Sequence, residues 1–328
     1  MMQSNLCNGT GDGQYSNALS EIGKIRKSVV VALLTNSKEP IRYHIDHRMI
    51  DILADHLDVA LSQSSNSDGK IPQLSLILNT EGGNIPAAIG MVSLIREYVT
   101  SFEVIVPDEA FSAGTVLALG ADRIVMTRRA CLGPADPQVT GRYGSVAAAD
   151  IEVFVSSPAF KENQKIEALD KLLKDQGLIA IGRLLRSQRL VRQTLTKYLS
   201  RTISDQTQRD RTLSFLLGAE SLHDMGILRV QAKRDLGLPV EFADEALEQS
   251  CMQLMAAMKC FFSVPSLHGY NEQNPIYENI PVSCFSVIST GYGRSTLDGI
   301  LCVQKTPKGL MYQGKSNSLV LKHLSFGE

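Results

Sequence analysis

Apolar residues along this chain follow two alternating spacings. Short runs dominated by Val, Ile and Leu, namely SVVVALL over Ser28–Leu34, QLSLIL over Gln73–Leu78, EVIVP over Glu103–Pro107 and RIVM over Arg123–Met126, read as strands buried on both faces. Between them, Met49–Leu61, Ile85–Val99 and Thr115–Ala121 carry apolar residues at helical spacing. Strands alternating with helices predict right-handed βαβ units and a mainly parallel sheet, the α/β class. Three of the strands end in turns of small or polar residues: Asn79-Thr80-Glu81-Gly82-Gly83-Asn84, then Glu109-Ala110-Phe111-Ser112-Ala113-Gly114, then Leu132-Gly133-Pro134-Ala135-Asp136-Pro137-Gln138. Folds of this class gather their sites where strands end and helices begin.

After Val139 the pattern loosens. Thr140–Ala148 is small and glycine-bearing and reads as a mobile loop over the site. Ile151–Ser156 reads as an edge strand or a helix start. Helices are expected over Lys161–Asp175, Leu178–Leu199 and Phe242–Phe262. Short strands with turns at Gly291-Tyr292-Gly293 and Pro307-Lys308-Gly309 fill Ile280–Leu324. The expected organisation is a flexible Ser-, Asn- and Gly-rich leader over 1–22, a main α/β domain over 23–262, and a linker with a small β-rich extension over 263–328.

Composition removes several alternatives. A chain of 328 residues, 44% apolar and 20% charged, can bury a large core, and its net charge of -1 gives no general attraction to nucleic acid or membrane. Arg183, Arg186, Arg189 and Arg192 recur at intervals of three without interleaved aromatics, so they read as a solvated face or a subunit contact rather than a nucleic-acid surface. The six cysteines are scattered without a C-x-x-C pair, which points to reduced thiols and a cytoplasmic location, with no zinc site. His44 and His47 flank Ile45-Asp46 and read as a turn or cap before a helix. No apolar run approaches the roughly 18 residues of a membrane span, and the start of the chain lacks a basic-then-apolar signal. No G-x-G-x-x-G fingerprint or pyridoxal lysine motif is present, so no cofactor is expected.

Ser112 is the candidate nucleophile. It stands where a strand meets a helix, beside Ala113 and Gly114, whose small size lets a substrate carbonyl approach backbone N–H groups. A second donor could come from Gly82 or Gly83. The plainer reading of Ser112 is a helix N-cap. The ordered series of GG, SAG about thirty residues later, ALGADRIVM and LGPADPQ resembles the ClpP/SppA/crotonase superfamily, and within it the SppA-like serine dehydrogenase proteinase family. The resemblance spans about Ser28 to Val240 and is most specific over Leu76–Val139. It implies a ClpP/crotonase-like spiral of ββα units and a serine peptidase site acting on a peptide or protein substrate. Ser112 would be the nucleophile, Gly83 and Ala113 would supply the oxyanion-hole amides, and Gly82 and Asn84 would border the substrate. It also implies a homo-oligomer, a trimer or larger ring.

The general base departs from the ClpP pattern, because Asp136 stands where a histidine is expected. His223, in Ser221-Leu222-His223-Asp224, could serve as base with Asp136 orienting it, or a lysine, Lys161 or Lys165, could form a Ser–Lys dyad. Glu81 is a second departure, since a carboxylate aimed at the oxyanion hole would oppose the intermediate. The alternative reading is a catalytically silent scaffold that binds partners; crotonase-type acyl-CoA chemistry is disfavoured, because SAG at the nucleophile turn fits covalent catalysis better.

Overall fold

The four apolar runs form the centre of a twisted sheet, as their continuous hydrophobicity requires. The computed structural model describes residues 10–37, 43–64, 67–141, 144–218, 225–261, 276–290, 293–306, 309–314 and 320–325. Its first half runs α1 (Thr10–Arg26), β1 (Val29–Thr35), α2 (Arg48–Ser64), β2 (Ile71–Asn79), α3 (Ile85–Tyr98), β3 (Val99–Val106), β4 (Glu109–Ala110), α4 (Ala113–Leu119), β5 (Arg123–Met126) and β6 (Cys131–Leu132). A hairpin, β7 (Gln138–Gly141) and β8 (Gly144–Ala147), precedes the helices α5 (Ala148–Ser156), α6 (Glu162–Gln176), α7 (Leu178–Thr202) and α8 (Gln206–Leu216). Then come β9 (Ile227–Leu228), α9 (Arg229–Arg234), β10 (Val240–Phe242), α10 (Glu245–Phe261), β11 (Ile276–Thr290), β12 (Gly293–Thr306), β13 (Gly309–Gly314) and β14 (Val320–Ser325).

Strands β10, β5, β3, β2 and β1 lie side by side and all parallel, which makes the chain a mixed α/β fold around a parallel centre. Successive side chains of a strand point to opposite faces. Val31 and Leu33, Leu74 to Leu78 at alternate positions, Val104 and Val106 therefore meet the larger core beneath α2, α3, α4 and α7. Val30, Ala32 and Leu34, with Ile77, Ile105 and Val125, meet α1 and α10 on the other face. Two small sheets, β4-β6-β9 and β7-β8, stand beyond the main sheet. Strand β4 continues from the C-terminal end of β3, and β6 follows β5.

Glu103 on β3 is almost fully buried on the α1 face. The Arg26 guanidinium, at the end of α1, grips both of its oxygens at 2.7 and 2.6 Å; Ser75 donates at 2.7 Å and Arg123 at 3.1 Å. Arg26 also reaches Glu241 of β10 at 2.7 Å. One carboxylate thus ties α1 to three strands of the sheet.

Several expectations are corrected. Within the leader, residues from Thr10 onward form α1, and Tyr15, Ala18, Leu19 and Ile22 are buried against α10 and the sheet. The C-terminal strands extend the central sheet instead of standing apart, because β11 pairs antiparallel with β1 from Val31↔Thr290 to Thr35↔Ser286. The loop expected over Thr140–Ala148 takes part in the β7–β8 hairpin, while Ile151–Ser156, expected as an edge strand or a helix start, lies in α5.

Candidate active site

Two turns at the C-terminal ends of β2 and β3 are stitched side by side. The Thr80 N–H donates to the Glu109 carbonyl at 2.9 Å, and the Phe111 N–H donates to the Thr80 carbonyl at 3.0 Å. Asn79 Oδ1 accepts the N–H groups of Asp108 and Glu109 at 3.3 and 3.1 Å. Thr115, buried in α4, places its hydroxyl 2.7 Å from the Ala110 carbonyl and 2.8 Å from that of Gly133, tying this turn to the third one.

Ser112 sits at the apex of the second turn with φ +50° and ψ −112°, a conformation that costs a residue with a side chain about 1–3 kcal/mol. Its hydroxyl does not cap α4, so the plain N-cap reading fails, and the residue is half-buried at the turn. Ser112→Gly and Ser112→Ala both delete the hydroxyl, but only glycine relaxes the backbone. The glycine variant is expected to unfold with a free energy about 1 kcal/mol above that of the alanine variant. Urea denaturation of the pair checks this, and equal stabilities would mean that the turn is unstrained.

The first turn holds a backbone N–H ready. Ile45 clamps it from the α2 side, donating to the Gly82 carbonyl at 2.8 Å and accepting the Asn84 N–H at 2.8 Å. The Gly82 N–H is bound to Thr80 Oγ1 at 3.1 Å, and Thr80 Oγ1 accepts from Thr35 at 2.9 Å. Among the described residues, the Gly83 N–H therefore has no acceptor, nor has the Ala113 N–H, the first of α4. Both glycines are required by geometry. A Cβ on Gly82 would lie 2.9 Å from the Ser112 Cβ, and one on Gly83, at φ +138°, would lie 2.4 Å from the Ile45 carbonyl oxygen. Tyr43, Asp46 and Arg48 brace the clamp through a cluster of hydrogen bonds around the Asp46 carboxylate. Burial pushes the Asp46 pKa up, but bonds from Arg48 and Tyr43 more than reverse this and hold it below the ordinary range.

A cleft of about 1360 Å³ opens over these turns, with Ser112, Gly83, Asn84 and Asp136 on one side and α7 on the other. Asp136 is buried, at 2% exposure, and Gly218 packs against its side chain, since a Cβ there would lie 3.1 Å from the Asp136 carboxyl carbon. The neighbouring Ala135 N–H donates to the Leu216 carbonyl at 2.7 Å. His223 lies outside the described residues. Neither Lys161 nor Lys165 lines the cleft: Lys161 is exposed at the start of α6, and the Lys165 ammonium donates to the Val155 carbonyl at 2.6 Å. Gly82 is buried behind the turn and is not among the residues lining the cleft. Asn84 does line it, with its side chain occupied in capping α3 through the Ala87 N–H at 2.8 Å. Glu81 is not part of the lining. Cys131, on β6, is no rival nucleophile: burial, with the charges of Glu109 and Asp108, pushes its thiol up to about 11.

The α7 side of the cleft was missed by sequence reasoning. Leu178, Ile179, Arg183 and Arg186 line it. The available signal was the buried series Leu184, Gln188, Val191 and Leu195, which places Arg183 and Arg186 on the outward side of the helix.

Two uncharacterized proteins of Methanocaldococcus jannaschii are similar to this chain. One is 30% identical over 125 residues, covering 38% of this chain and 43% of that protein. The other is 32% identical over 108 residues, covering 33% of this chain and 34% of that protein. The matched stretches thus span less than half the length of either relative. The profile of the ClpP-like SDH-type serine proteinases extends much further, matching residues 13–260, which takes in both turns, the cleft and α10. With the turn series, the parallel sheet and this match in agreement, the chain belongs to the ClpP-like SDH-type serine proteinase family.

Proposed function

We propose that this chain is a serine peptidase that cleaves peptide bonds through an acyl-enzyme on Ser112. The observation that carries the reading is the juxtaposition of a strained, uncapped serine with two N–H groups that have no acceptor among the described residues, inside one cleft. Ser112 Oγ attacks the scissile carbonyl carbon as its proton passes to the base. The carbonyl oxygen becomes an oxyanion held by the N–H groups of Gly83 and Ala113, which stabilise it without reorganising. The amine departs with the proton, and water then hydrolyses the ester by the same route in reverse.

His223 is the base of this reading, with Asp136 orienting it. Support comes from the flanks of segment 219–224. Gly218 packs on Asp136, and beyond the segment Ile227 pairs with Leu132, immediately before the third turn. The lysines are disfavoured because both stand outside the cleft. The same reading takes in the ββα spiral arrangement, a cytoplasmic location and assembly into a homo-oligomer. For assembly, the support is the apolar surface around α5 and α6, where Val153, Phe160 and Ile166 are exposed outside the cleft. Among the described residues no helix is long and apolar enough to cross a membrane.

A fluorophosphonate probe tests the reading. Ser112 is expected to be labelled, as mapped by peptide mass spectrometry; Ser112→Ala should abolish labelling, and His223→Ala should slow it while Lys165→Ala does not. A folded wild-type protein that stays unlabelled would favour the silent scaffold.

A further inference from the structure

The wall of the cleft facing Ser112 carries charge that the reaction does not use. Arg183 and Arg186 are three residues apart on α7, exposed, and both line the cleft. Among the described residues neither guanidinium has an ion-pair partner, whereas Arg26, Arg48, Arg96, Arg123, Arg128, Arg129 and Arg229 each have one. Among the described residues, Asp136 is the sole carboxylate in the lining, and it is nearly inaccessible. The exposed charge that the described residues present to the cleft is therefore positive. One helical turn earlier, Leu178 and Ile179 are 74% and 73% exposed and line the same cleft. Two planar guanidinium groups beside a bare apolar step call for carboxylates flanked by apolar side chains. Phosphodiesters would leave the apolar step uncovered, and among the described residues no aromatic side chain lines the cleft for bases to stack on.

Building on the serine peptidase reading, we propose that the Ser112 cleft selects peptide segments in which acidic residues neighbour apolar ones, the carboxylates meeting Arg183 and Arg186 and the apolar side chains covering Leu178 and Ile179.

Binding can be measured apart from cleavage. Two fluorescein-labelled peptide amides, rich in leucine and identical except that two glutamates in one are glutamines in the other, are titrated by anisotropy against Ser112→Ala. The glutamate peptide is expected to bind roughly 5-fold tighter at low salt. That preference should shrink as salt rises and vanish in the protein that also carries Arg183→Gln and Arg186→Gln. Both arginines are exposed, so the melting temperature should stay unchanged and show that the fold is intact. Equal affinities, a preference that survives the arginine substitutions, or no binding by either peptide would overturn the proposal. So would substitutions that change the sedimentation coefficient and leave the preference intact, because the arginines would then serve contacts between copies. Fluorophosphonate labelling reports separately on Ser112. Labelling without glutamate preference removes this inference alone, and preference without labelling removes the hydrolase reading alone.

Discussion

Gly83→Ala should lose about 3 kcal/mol of folding free energy and, in the protein that still folds, at least about 100-fold in the rate of fluorophosphonate labelling. The stability loss has two sources. At φ +138° any side chain is strained, and the new Cβ would lie 2.4 Å from the Ile45 carbonyl oxygen and 2.6 Å from its nitrogen. Both contacts are backbone atoms held in the hydrogen bonds that clamp this turn, so neither can swing aside as a flexible side chain would. The rate loss follows from the same displacement. Relief of the clash moves the Gly83 N–H, and an oxyanion donor is worth its full effect only near its productive position. Gly69→Ala is the control. Gly69 also has a positive φ, +67°, but nothing lies within 4 Å of a Cβ there, so the change should cost about 1 kcal/mol and leave labelling untouched. Thermal unfolding and labelling rates measured well below the transition separate the two effects. If Gly83→Ala labels as fast as the wild type, the Gly83 N–H is not an oxyanion donor.

The central strands were legible because strands buried on both faces have nowhere to put a charge. RIVM coincides with β5, and SVVVALL lies within one residue of β1 at either end. Glu103 is the exception that shows why context matters. A carboxylate inside an apolar run looks like the edge of a strand, yet here it sits in the middle of β3, satisfied by arginines 20 and 77 residues away in sequence. Helix α1 escaped the pattern for a related reason. Its composition is poor for a helix, with Gly11, Gly13, Ser16 and Asn17, and it is held by four buried residues against α10, an element far along the chain. Lateral order in the sheet is equally invisible to periodicity. Nothing local in PVSCFSVIS says that it will pair with β1 rather than stand in an extension of its own.

The site divides in the same manner. Ser112, Gly83 and Ala113 could be named as candidates because each is dictated by its own turn, by the need for a small residue, a positive φ or a free amide. Asp136 could be placed at a turn, but its burial depends on Gly218 and on a cleft assembled from several elements. Arg183 and Arg186 look like any solvated helix face until α7 is laid across the turns. A charge run acquires meaning from what it faces, and that is a tertiary fact.

Glu103→Gln should cost about 3 kcal/mol at neutral pH, which makes it the severest test of what holds the two halves of the fold together. The carboxylate accepts from Arg26, Ser75 and Arg123 at 2.6 to 3.1 Å and is almost fully buried. A glutamine keeps the shape but turns an NH2 toward guanidinium donors and leaves their charge uncompensated. Glu241→Gln, at a partner about one-third exposed, should cost no more than about 1 kcal/mol. The pH dependence gives a second, independent readout. Burial pushes the Glu103 pKa up, but the bonds from Arg26 and Ser75 and the charges of Arg26 and Arg123 more than reverse this, so the folded pKa lies below the ordinary 4.5. A depressed folded pKa means that the stabilisation is fully present above the unfolded value and is lost as pH falls through the folded one. Urea denaturation curves of wild type and Glu103→Gln should therefore be furthest apart at neutral pH and converge below pH 4.5. Asp46 and Asp122 are depressed in both proteins and cancel in the difference. A constant gap across that window would show that the loss arises from packing and not from charge. Because Glu103 lies on the α1 side of the sheet, away from the cleft, the folded fraction of Glu103→Gln should label at Ser112 at the wild-type rate. The lock on α1 and the chemistry at the turns would then be separable.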